Sequence, residues 1–368
     1  MRAYLDHNAT TPLRAEARAA MQAAMDVMGN PSSVHAEGRA AKSLVEVARA
    51  QVAALVGCTR QQVVFTSSAT EAAALAVAQK GRHGGVFHAL PTEHDCLRVW
   101  SEGDMPRAFD QAGAFLPEAL QGEEMPALIA ISAANSETGI MLPGHRVLAR
   151  AQTGQAVVSD ITQVAGKMPI VFGDDDRPAY AILSAHKMGG PKGVGALINF
   201  TREDPQAILR GGGQEMGRRS GTENTIGIAG FGAAAQAAAK DVAAGRWEEV
   251  AELRNILERT LEGSSKKTIF VGKGFPRLPN TTCVIAQGWK GETQVMQMDL
   301  AGFAISAGSA CSSGKVKASR VLQAMGFDED HSASAIRVSL GLETTKEDVL
   351  RFADAWLAKR EKHDQRAA

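Results

Sequence analysis

The stretch LSAHKMGGPKGVGAL, residues 183–197, contains a lysine in an unusual place. Lys187 follows the apolar run AYAILSA, which predicts a buried strand, and several glycines come after it. The ammonium would therefore lie at a strand end, beside closely approaching backbone. Lysine is rarely buried without a partner or a task, so this position needs a chemical explanation.

The surrounding chain alternates short apolar runs with stretches long enough for a helix. The runs are QVVFTSS, GGVFHAL, PALIAISAAN, QAVVSD and AYAILSA, and each ends in small or polar residues. Apolar spacing predicts a helix over 36–56 that ends at Gly57, and ATEAAALAVAQ predicts another, with a capping box from Ser68 to Glu71. This order predicts an α/β protein with a mostly parallel sheet covered by helices.

Polar residues follow the predicted strands at the point where each strand ends. Ligands of open parallel sheets gather at the carboxyl ends of the strands, so these side chains are expected in one crevice. They are Thr66 to Thr70, Glu93, His94, Asn135, Asp160, Gln163, Ser184, His186 and Lys187. The sequence therefore predicts a ligand site at this edge of the sheet.

The character of the chain changes after about residue 245. A charged helical run, RWEEVAELRNILERTLEG, is followed by short strand-like pieces and the loop ISAGSACSSGKVKAS. We expect a large domain over 13–244 and a smaller α+β domain over 245–368, joined by residues 1–12. The terminus LAKREKHDQRAA is most simply a solvated end.

The composition argues against several classes of protein. Lysine plus arginine and aspartate plus glutamate both number 40, so no basic surplus favours nucleic acid. No apolar run approaches the roughly 20 residues of a membrane span, and no secretory leader is evident, so we expect a cytoplasmic protein without a membrane partner. The cysteines lack C-x-x-C spacing, and His83, His88 and His94 do not share a helix face, so no metal is expected.

Lys187 makes chemical sense if it forms a Schiff base with an aldehyde cofactor, because a lysine in a dry crevice has a lowered pKa and a nucleophilic amine. Pyridoxal 5'-phosphate requires, in addition, a carboxylate near its ring nitrogen, a phosphate cradle and a group stacked on its ring. Asp160, the SSATE turn with Thr70, and His94 are the candidates. Taken singly, each candidate also has an ordinary structural interpretation. Asp160 would cap a helix, the SSATE turn would be a capping box, and His94 would be a surface or core histidine.

The order of these motifs resembles that of the pyridoxal-phosphate-dependent cysteine desulfurases, a class V aminotransferase family with the aspartate-aminotransferase-like fold (fold type I). The matching motifs extend almost from one end of the chain to the other. They are YLDHNATTP, GNPSSVHAEGR, TSSATEAA, TEHD, NSETG, SDITQVAG, SAHKMGGPKGVGAL, GGGQEMGRRSGTEN, SAGSACSS and IRVSLG. So many motifs in one order form a specific signal.

The resemblance implies roles for residues around the cofactor ring. Lys187 would hold the cofactor covalently, and His94 would stack on the ring and shuttle protons. Asp160 would contact the pyridine nitrogen, and Gln163 the ring oxygen. These expectations are carried over only at positions that match the family's motifs.

The resemblance also implies a phosphate site that two subunits complete. Ala69, Thr70, Ser184 and His186 would bind the phosphate. Thr222 would reach the phosphate of a neighbouring subunit, so a homodimer is expected.

Asn135 and Arg337 are expected to orient the amino-acid substrate, Arg337 by a bidentate grip on its carboxylate. Alternatively, Arg337 is a structural ion-pair partner. The chain departs from the family's pattern at Ser136, where a second asparagine is frequent, at Ile161, where a small residue is usual, and in SSAT, where glycine is common. None of these departures removes a catalytic group.

Cys311 decides between the reactions that relatives with this core perform. It lies in SAGSACSSGKVKAS, a run of small residues typical of a flexible loop. The resemblance implies that L-cysteine yields L-alanine while its sulfur passes to the Cys311 thiolate as a persulfide. The loop is similar to those of family members that pass sulfur to an acceptor protein for iron–sulfur cluster assembly or thio-modification.

Other functions stay open at this point. A class V transaminase, or a lyase acting on selenocysteine or cystine, would keep the cofactor while Cys311 is incidental. A scaffold paralogue would bind a partner without catalysis. The stretches GGGQEMG and GGPKGVG match neither G-x-G-x-x-G nor the P-loop pattern, which disfavours nucleotide binding.

Overall fold

The structure is a computed structural model that describes residues 2–116, 119, 127–142, 155–172, 177–263, 268–308 and 318–367. Its helices are α1 Ala15–Met25, α2 Ala36–Val56, α3 Ala69–Val77, α4 Asp95–Arg98, α5 Thr225–Ala243, α6 Arg246–Glu262, α7 Gly291–Leu300, α8 Arg320–Ala324, α9 Glu329–Ala333 and α10 Lys346–Ala367. Its strands are β1 Ala3–Tyr4, β2 Val63–Thr66, β3 Phe87–Ala89, β4 Leu128–Ser132, β5 Ala156–Asp160, β6 Tyr180–Ser184, β7 Gly195–Asn199, β8 Thr268–Phe270, β9 Thr281–Ala286, β10 Phe303–Ala304, β11 Ser306–Ala307 and β12 Ala335–Ser339.

Six strands form the larger sheet, in the order β2-β7-β6-β5-β4-β3. Strands β3 to β6 run parallel, and β7 runs antiparallel to both of its neighbours. The predicted mostly parallel sheet is therefore confirmed. Each of the five apolar runs forms a strand. Their nearly continuous apolar pattern is the one expected of strands that are covered on both faces. Strand β7 is not among those that the runs predict.

Helices cover both faces of the larger sheet. On one face α1, α2 and α5 pack around Val52 and Phe231, and on the other α3 and α4 pack around Leu75 and Phe87. The helix predicted over 36–56 is confirmed as α2, and Gly57 ends it with a φ of 74°. The strands of the larger sheet are thus buried between two layers of helices.

The junction of β2 with α3 differs slightly from its prediction. Ser68 caps the helix by accepting the Glu71 N–H at 3.2 Å. The Glu71 carboxylate, however, accepts the N–H of Ser67 at 2.8 Å rather than that of Ser68. The predicted capping box is therefore only half formed, because the bond from the Glu71 carboxylate goes to the residue before the cap. An ion pair with Arg219 at 2.9 Å holds the carboxylate in that position.

A second, antiparallel sheet has the order β11-β12-β9-β8, and α6, α7 and α10 pack against it around Trp289 and Trp356. Strand β1 pairs with β10. Asp6 also forms a bridge with Ser339, so the N-terminal segment lies with this sheet. Helices α5 and α6 meet at Gly245, which has a φ of 71°, and the domain division at this point stays a prediction.

The C-terminal run LAKREKHDQRAA, expected to be a solvated end, instead continues α10. Arg360 is 2% exposed and donates to the Gln287 carbonyl at 3.2 Å, and the ring of His363 stacks on Trp289 at 5.7 Å. The polar composition concealed this packing because long side chains bury their stems while their charges find partners. Within the described ranges, no helix is both long and apolar enough to cross a membrane.

Candidate active site

A cavity of about 340 Å³ lies at the carboxyl ends of the parallel strands of the larger sheet. These strands end in polar turns, so the side chains that follow them meet in one space. The sequence-predicted residues that line it are Ser68, Ala69, Thr70, Glu93, His94, Asn135, Asp160, Gln163, Ser184, His186, Lys187 and Arg337.

Lys187 is the last residue of the 3-10 turn Ala185–Lys187, which follows β6 directly. Its Nζ donates to the Asn8 carbonyl at 2.7 Å and to the Ala9 carbonyl at 2.8 Å. Burial lowers the pKa of Lys187 to about 8, and Arg337 adds to this effect while nearby carboxylates oppose it. The amine is therefore available as a nucleophile near neutral pH.

Asp160 and His94 both cap backbone and both line the cavity. Asp160 ends β5, and one carboxylate oxygen accepts the Thr162 N–H at 2.8 Å. His94 precedes α4, and its Nδ1 accepts the Cys96 N–H at 3.1 Å, which leaves the ring proton on Nε2. The second Asp160 oxygen and His94 Nε2 have no hydrogen-bond partner in the described structure, so the capping role leaves each residue a group for a ligand.

The N-terminus of α3 borders the cavity through Ala69 and Thr70. Ser68 caps only the Glu71 N–H, so the first two N–H groups of the helix have no helical partner. Gly195 of β7 lets the strand approach this turn closely: a Cβ there would lie 2.8 Å from the Ala69 nitrogen. Free N–H groups at the positive end of a helix suit an anion.

Ser184 and His186 lie beside this turn, at the end of β6 and in the 3-10 turn after it. The Nδ1 of His186 is 3.1 Å from Thr10 Oγ1. Burial lowers the pKa of His186 to about 4, and the charges of Lys187 and Lys192 add to the effect. At neutral pH His186 is therefore a neutral hydrogen-bonding group rather than a cation.

Arg337 reaches the cavity from β12 of the second sheet. Its Nη2 pairs with Asp6 at 2.7 Å, its Nη1 donates to the Ser136 carbonyl at 3.1 Å, and its buried Nε has no partner in the described structure. The structural ion pair that was the alternative role of Arg337 is thus present, with Asp6 as the partner, but the Nε–H of Arg337 is still free to bind a ligand. Asn135 instead uses its Oδ1 to accept two backbone N–H groups at 2.9 Å each.

Glu93 was named from the sequence without a role. It is 1% exposed and accepts the Ser132 N–H at 2.8 Å and the Ser132 hydroxyl. Burial raises the pKa of Glu93 to about 7, and the Asp160 charge contributes. Glu93 therefore stays partly protonated near neutral pH.

Three residues named from the sequence, Thr66, Ser67 and Thr222, do not line the cavity, and a fourth, Cys311, lies outside the described residues. Thr222 borders a separate pocket of about 90 Å³, together with Arg219. Thr66 and Ser67 border the same separate pocket as Thr222. Cys311 belongs to the segment between Gly308 and Arg320, both of which line the cavity. Among the described residues, no cluster of three or more His, Cys, Asp or Glu side chains is arranged to hold a metal ion.

Sequence reasoning assigned no role to several groups around the cavity. Asn8, Cys96, Glu137 and Arg320 line it, and Lys167 lies behind it. Asn8 belongs to the quoted motif YLDHNATTP, but its contact with Lys187 joins residues 179 positions apart. No local pattern predicts a contact of that kind.

A model of the aminotransferase class-V family matches residues 3–352. A cysteine desulfurase of Frankia sp. (strain EuIK1) is 38% identical over 95% of this chain and 89% of its own length. One of Cereibacter sphaeroides is 36% identical over 96% and 94%. A NifS-like protein structure from Rickettsia africae superimposes with a TM-score of 0.88 at 29% identity, covering 98% of this chain and 100% of that one.

These matches span nearly the whole chain and include every segment that borders the cavity. They confirm the aspartate-aminotransferase-like fold (fold type I), whose larger sheet is described above. Enzymes of this family depend on pyridoxal 5'-phosphate. The chain belongs to the aminotransferase class-V family, among its cysteine desulfurases.

Proposed function

We propose that this protein is a pyridoxal-phosphate-dependent cysteine desulfurase with L-cysteine as its substrate. L-Cysteine and the Cys311 thiol give L-alanine and a persulfide on Cys311, whose outer sulfur then passes to an acceptor. One observation carries the proposal: the half-buried amine of Lys187, with its lowered pKa, lies in a cavity that also presents a carboxylate, a helix N-terminus and a guanidinium. The names of the relatives support the choice of substrate.

The donors and acceptors of the cavity fit the cofactor. Lys187 Nζ is held by two carbonyl oxygens, and no ion pair ties it to a carboxylate in the described structure. Asp160 has an oxygen to spare for the ring nitrogen, and the α3 N–H groups with neutral His186 suit the phosphate. When bound, the cofactor would delocalise the electron pair that stays on the substrate's α-carbon after a base has removed the proton.

Lys187 and His94 are proposed to move protons. With a pKa of about 8, Lys187 is partly unprotonated at neutral pH and can accept the α-proton at Nζ. His94 carries its own proton on Nε2, because Nδ1 accepts a backbone N–H. We assign it the transfer of protons between the cavity and Cys311.

Arg337 is proposed to bind the substrate carboxylate. Its unpaired buried Nε supports this role, since a carboxylate would satisfy that donor with a charge-assisted bond. Asp6 and the Ser136 carbonyl hold the other side of the guanidinium. Asn135 is proposed to orient the same substrate through the turn that it stabilises.

The position of the Cys311 segment in the chain supports Cys311 as the sulfur acceptor. Gly308 lines the cavity, and Cys311 follows it by three residues, a reach of up to about 10 Å for extended chain. On the far side of the segment, Arg320 also lines the cavity. Both flanks of the segment therefore lie at the site where sulfur would be released.

The test compares alanine and sulfide released from L-cysteine, with a reductant present, by the intact protein and by Cys311→Ala. Cys58→Ala is the matched control, because Cys58 packs against the core of the larger sheet. We expect equal amounts of alanine and sulfide from the intact protein and the control, and neither from Cys311→Ala. Alanine that persists in Cys311→Ala, with cysteine or selenocysteine, would indicate a lyase, and turnover that requires a keto acid would indicate a transaminase.

The protein is further proposed to act as a homodimer in which Thr222 contacts the cofactor phosphate of the neighbouring subunit. Thr222 lies outside its own cavity, and Arg219 nearby is tied to Glu71 of the α3 turn. Sedimentation is expected to give the mass of two chains. Thr222→Val is expected to weaken cofactor binding without changing that mass; a monomeric protein with full cofactor affinity would refute the assignment.

The sulfur acceptor is proposed to be a cytoplasmic protein that builds iron–sulfur clusters or thio-modified products. Some relatives carry the name IscS, which supports this pathway. Radiolabelled sulfur loaded onto Cys311 is expected to move to a scaffold or carrier thiol on mixing. Label that leaves only as free sulfide would contradict a dedicated protein acceptor.

A further inference from the structure

Lys167, which the proposed mechanism does not use, is buried behind the cavity and is 2% exposed. Its Nζ lies 2.8 Å from Gln163 Oε1 and 3.2 Å from Asn8 Oδ1, and no carboxylate pairs with it in the described part of the chain. Two amide oxygens satisfy the N–H groups of a neutral amine, whereas an ammonium has three donors. Burial accordingly holds the pKa of Lys167 well below its usual range, with Lys187 and Arg337 adding to the effect.

The side chain of Asn8 has a fixed orientation. Its Nδ2 donates to Thr281 Oγ1 at 2.9 Å and to the Ser136 carbonyl at 3.2 Å, so its Oδ1 faces the opposite way. That oxygen accepts from Asn280 Nδ2 at 3.1 Å as well as from Lys167. Because Asn8 is 1% exposed and its Nδ2 is used elsewhere, its Oδ1 is left as an acceptor, and Lys167 acts as a donor to it.

The amide of Gln163 is fixed from both sides. Its Oε1 accepts from Lys167, and its Nε2 donates at 3.1 Å to the Asn8 carbonyl, the same carbonyl that accepts Lys187 Nζ. The other Nε2 proton has no partner among the described residues, and Gln163 lines the cavity. Gln163 can therefore offer the cavity a donor but not an acceptor.

We propose that Lys167 is a positioning residue: by occupying the Oε1 of Gln163, it keeps an amide N–H directed at the cofactor and keeps the Asn8 carbonyl aligned with Lys187. The inference rests on the proposed function, in which Gln163 contacts the ring oxygen. Without Lys167, the Oε1 of Gln163 would be buried without a hydrogen-bond partner. The side-chain amide could then flip, exchanging its oxygen and nitrogen, and would present an oxygen to the cavity instead of an N–H. The role is thus electronic as well as structural.

The colour of the bound cofactor provides a direct readout. A donor on the ring oxygen competes with the neighbouring nitrogen proton for the same electron pair, so loss of the donor raises the pH at which the visible band changes. We expect Lys167→Met, similar in length but without a donor, to raise that pH by about one unit. Lys42→Met is the matched control, since Lys42 is exposed on α2 and does not line the cavity; no shift of that size is expected in it.

A double-mutant comparison separates positioning from a general loss of structure. If Lys167 acts through Gln163, the variant carrying Lys167→Met and Gln163→Leu has the same midpoint as Gln163→Leu alone. Shifts that add, or an unchanged midpoint in Lys167→Met, would overturn the inference. If Lys167→Met does not fold, Lys167→Gln is compared in the same way, alone and with Gln163→Leu.

The readout does not depend on sulfur transfer. An intact protein that binds no pyridoxal 5'-phosphate would refute the proposed function. An intact protein that becomes coloured, with a midpoint that Lys167→Met leaves unchanged, would refute only the role of Lys167.

Discussion

The cavity has two walls of different construction. One is formed by the carboxyl ends of the larger sheet, where Asp160 and Ser184 end strands and Lys187 lies in the turn that follows β6. The other is formed by the N-terminal segment and the second sheet, where Asp6 and Arg337 hold each other. Backbone geometry fixes the first wall, and bonds between distant side chains fix the second. We therefore expect the first wall to survive the loss of a side chain, and the second to depend on each partner.

The largest effect is expected from Lys187→Ala, on the first wall. The variant should lose covalent attachment of the cofactor, detected by mass after borohydride treatment, and about a thousandfold or more in alanine formation. It should keep its fold, because the turn retains backbone bonds such as Gly190 N–H to the Ala185 carbonyl at 2.9 Å. Lys42→Ala serves as the control, since Lys42 is exposed and does not line the cavity. If Lys187→Ala unfolds, the contrast between the two walls is wrong, because the first wall would then depend on the Lys187 side chain.

The next effect is expected on the second wall, from Arg337→Lys. Lysine keeps the charge but loses the planar fork, so it cannot bind Asp6, the Ser136 carbonyl and a carboxylate together. We expect kcat/KM for L-cysteine to fall about a hundredfold, mainly through KM. Steady-state alanine formation measures this. A fall in kcat with KM unchanged would show that Arg337 acts after substrate binding.

Asp6→Asn tests whether orientation of Arg337 depends on its partner. Because Asp6 pairs with Arg337 and also accepts from Ser306 at 2.8 Å, its loss should release the guanidinium. KM should rise about tenfold while kcat changes little. Asp299→Asn is the control, since Asp299 pairs with the exposed Arg2 and neither residue lines the cavity. A fall in KM would instead show that Asp6 competes with the substrate carboxylate for the guanidinium of Arg337.

The smallest effect concerns the pH at which the cofactor-free protein captures pyridoxal 5'-phosphate. The pKa of Lys187 is lowered to about 8, so its neutral, nucleophilic form prevails above that pH and is lost as the pH falls. The rate of colour formation should rise about fivefold between about pH 7 and 8, as the neutral fraction of such a group does. A midpoint near the ordinary lysine value would mean that the first wall is open to water before the cofactor binds.

The same contrast explains what could be predicted from the sequence. The first wall was accessible because each of its residues stands next to an apolar run, and the end of a parallel strand fixes the direction of its turn. Local patterns did not predict the second wall. Arg337 was expected at the site only through the family resemblance, and no periodicity records its contact with Asp6, 331 residues away. Lys167 has the same explanation: its neighbour Gln163 is local, but Asn8 is 159 residues away.

The place of Asn8 has a consequence for the protein during its synthesis. Its backbone N–H donates to Ser339 Oγ, 331 residues later in the chain. At 5 to 20 residues per second, roughly 17 to 66 s pass between the synthesis of these two residues. The larger sheet can be complete well before that time, but Asn8, whose carbonyl accepts Lys187 Nζ, lacks its bond to Ser339 until the last part of the chain is made. A newly made chain that met the cofactor early would therefore present a site in which the contacts from the last part of the chain had not yet formed.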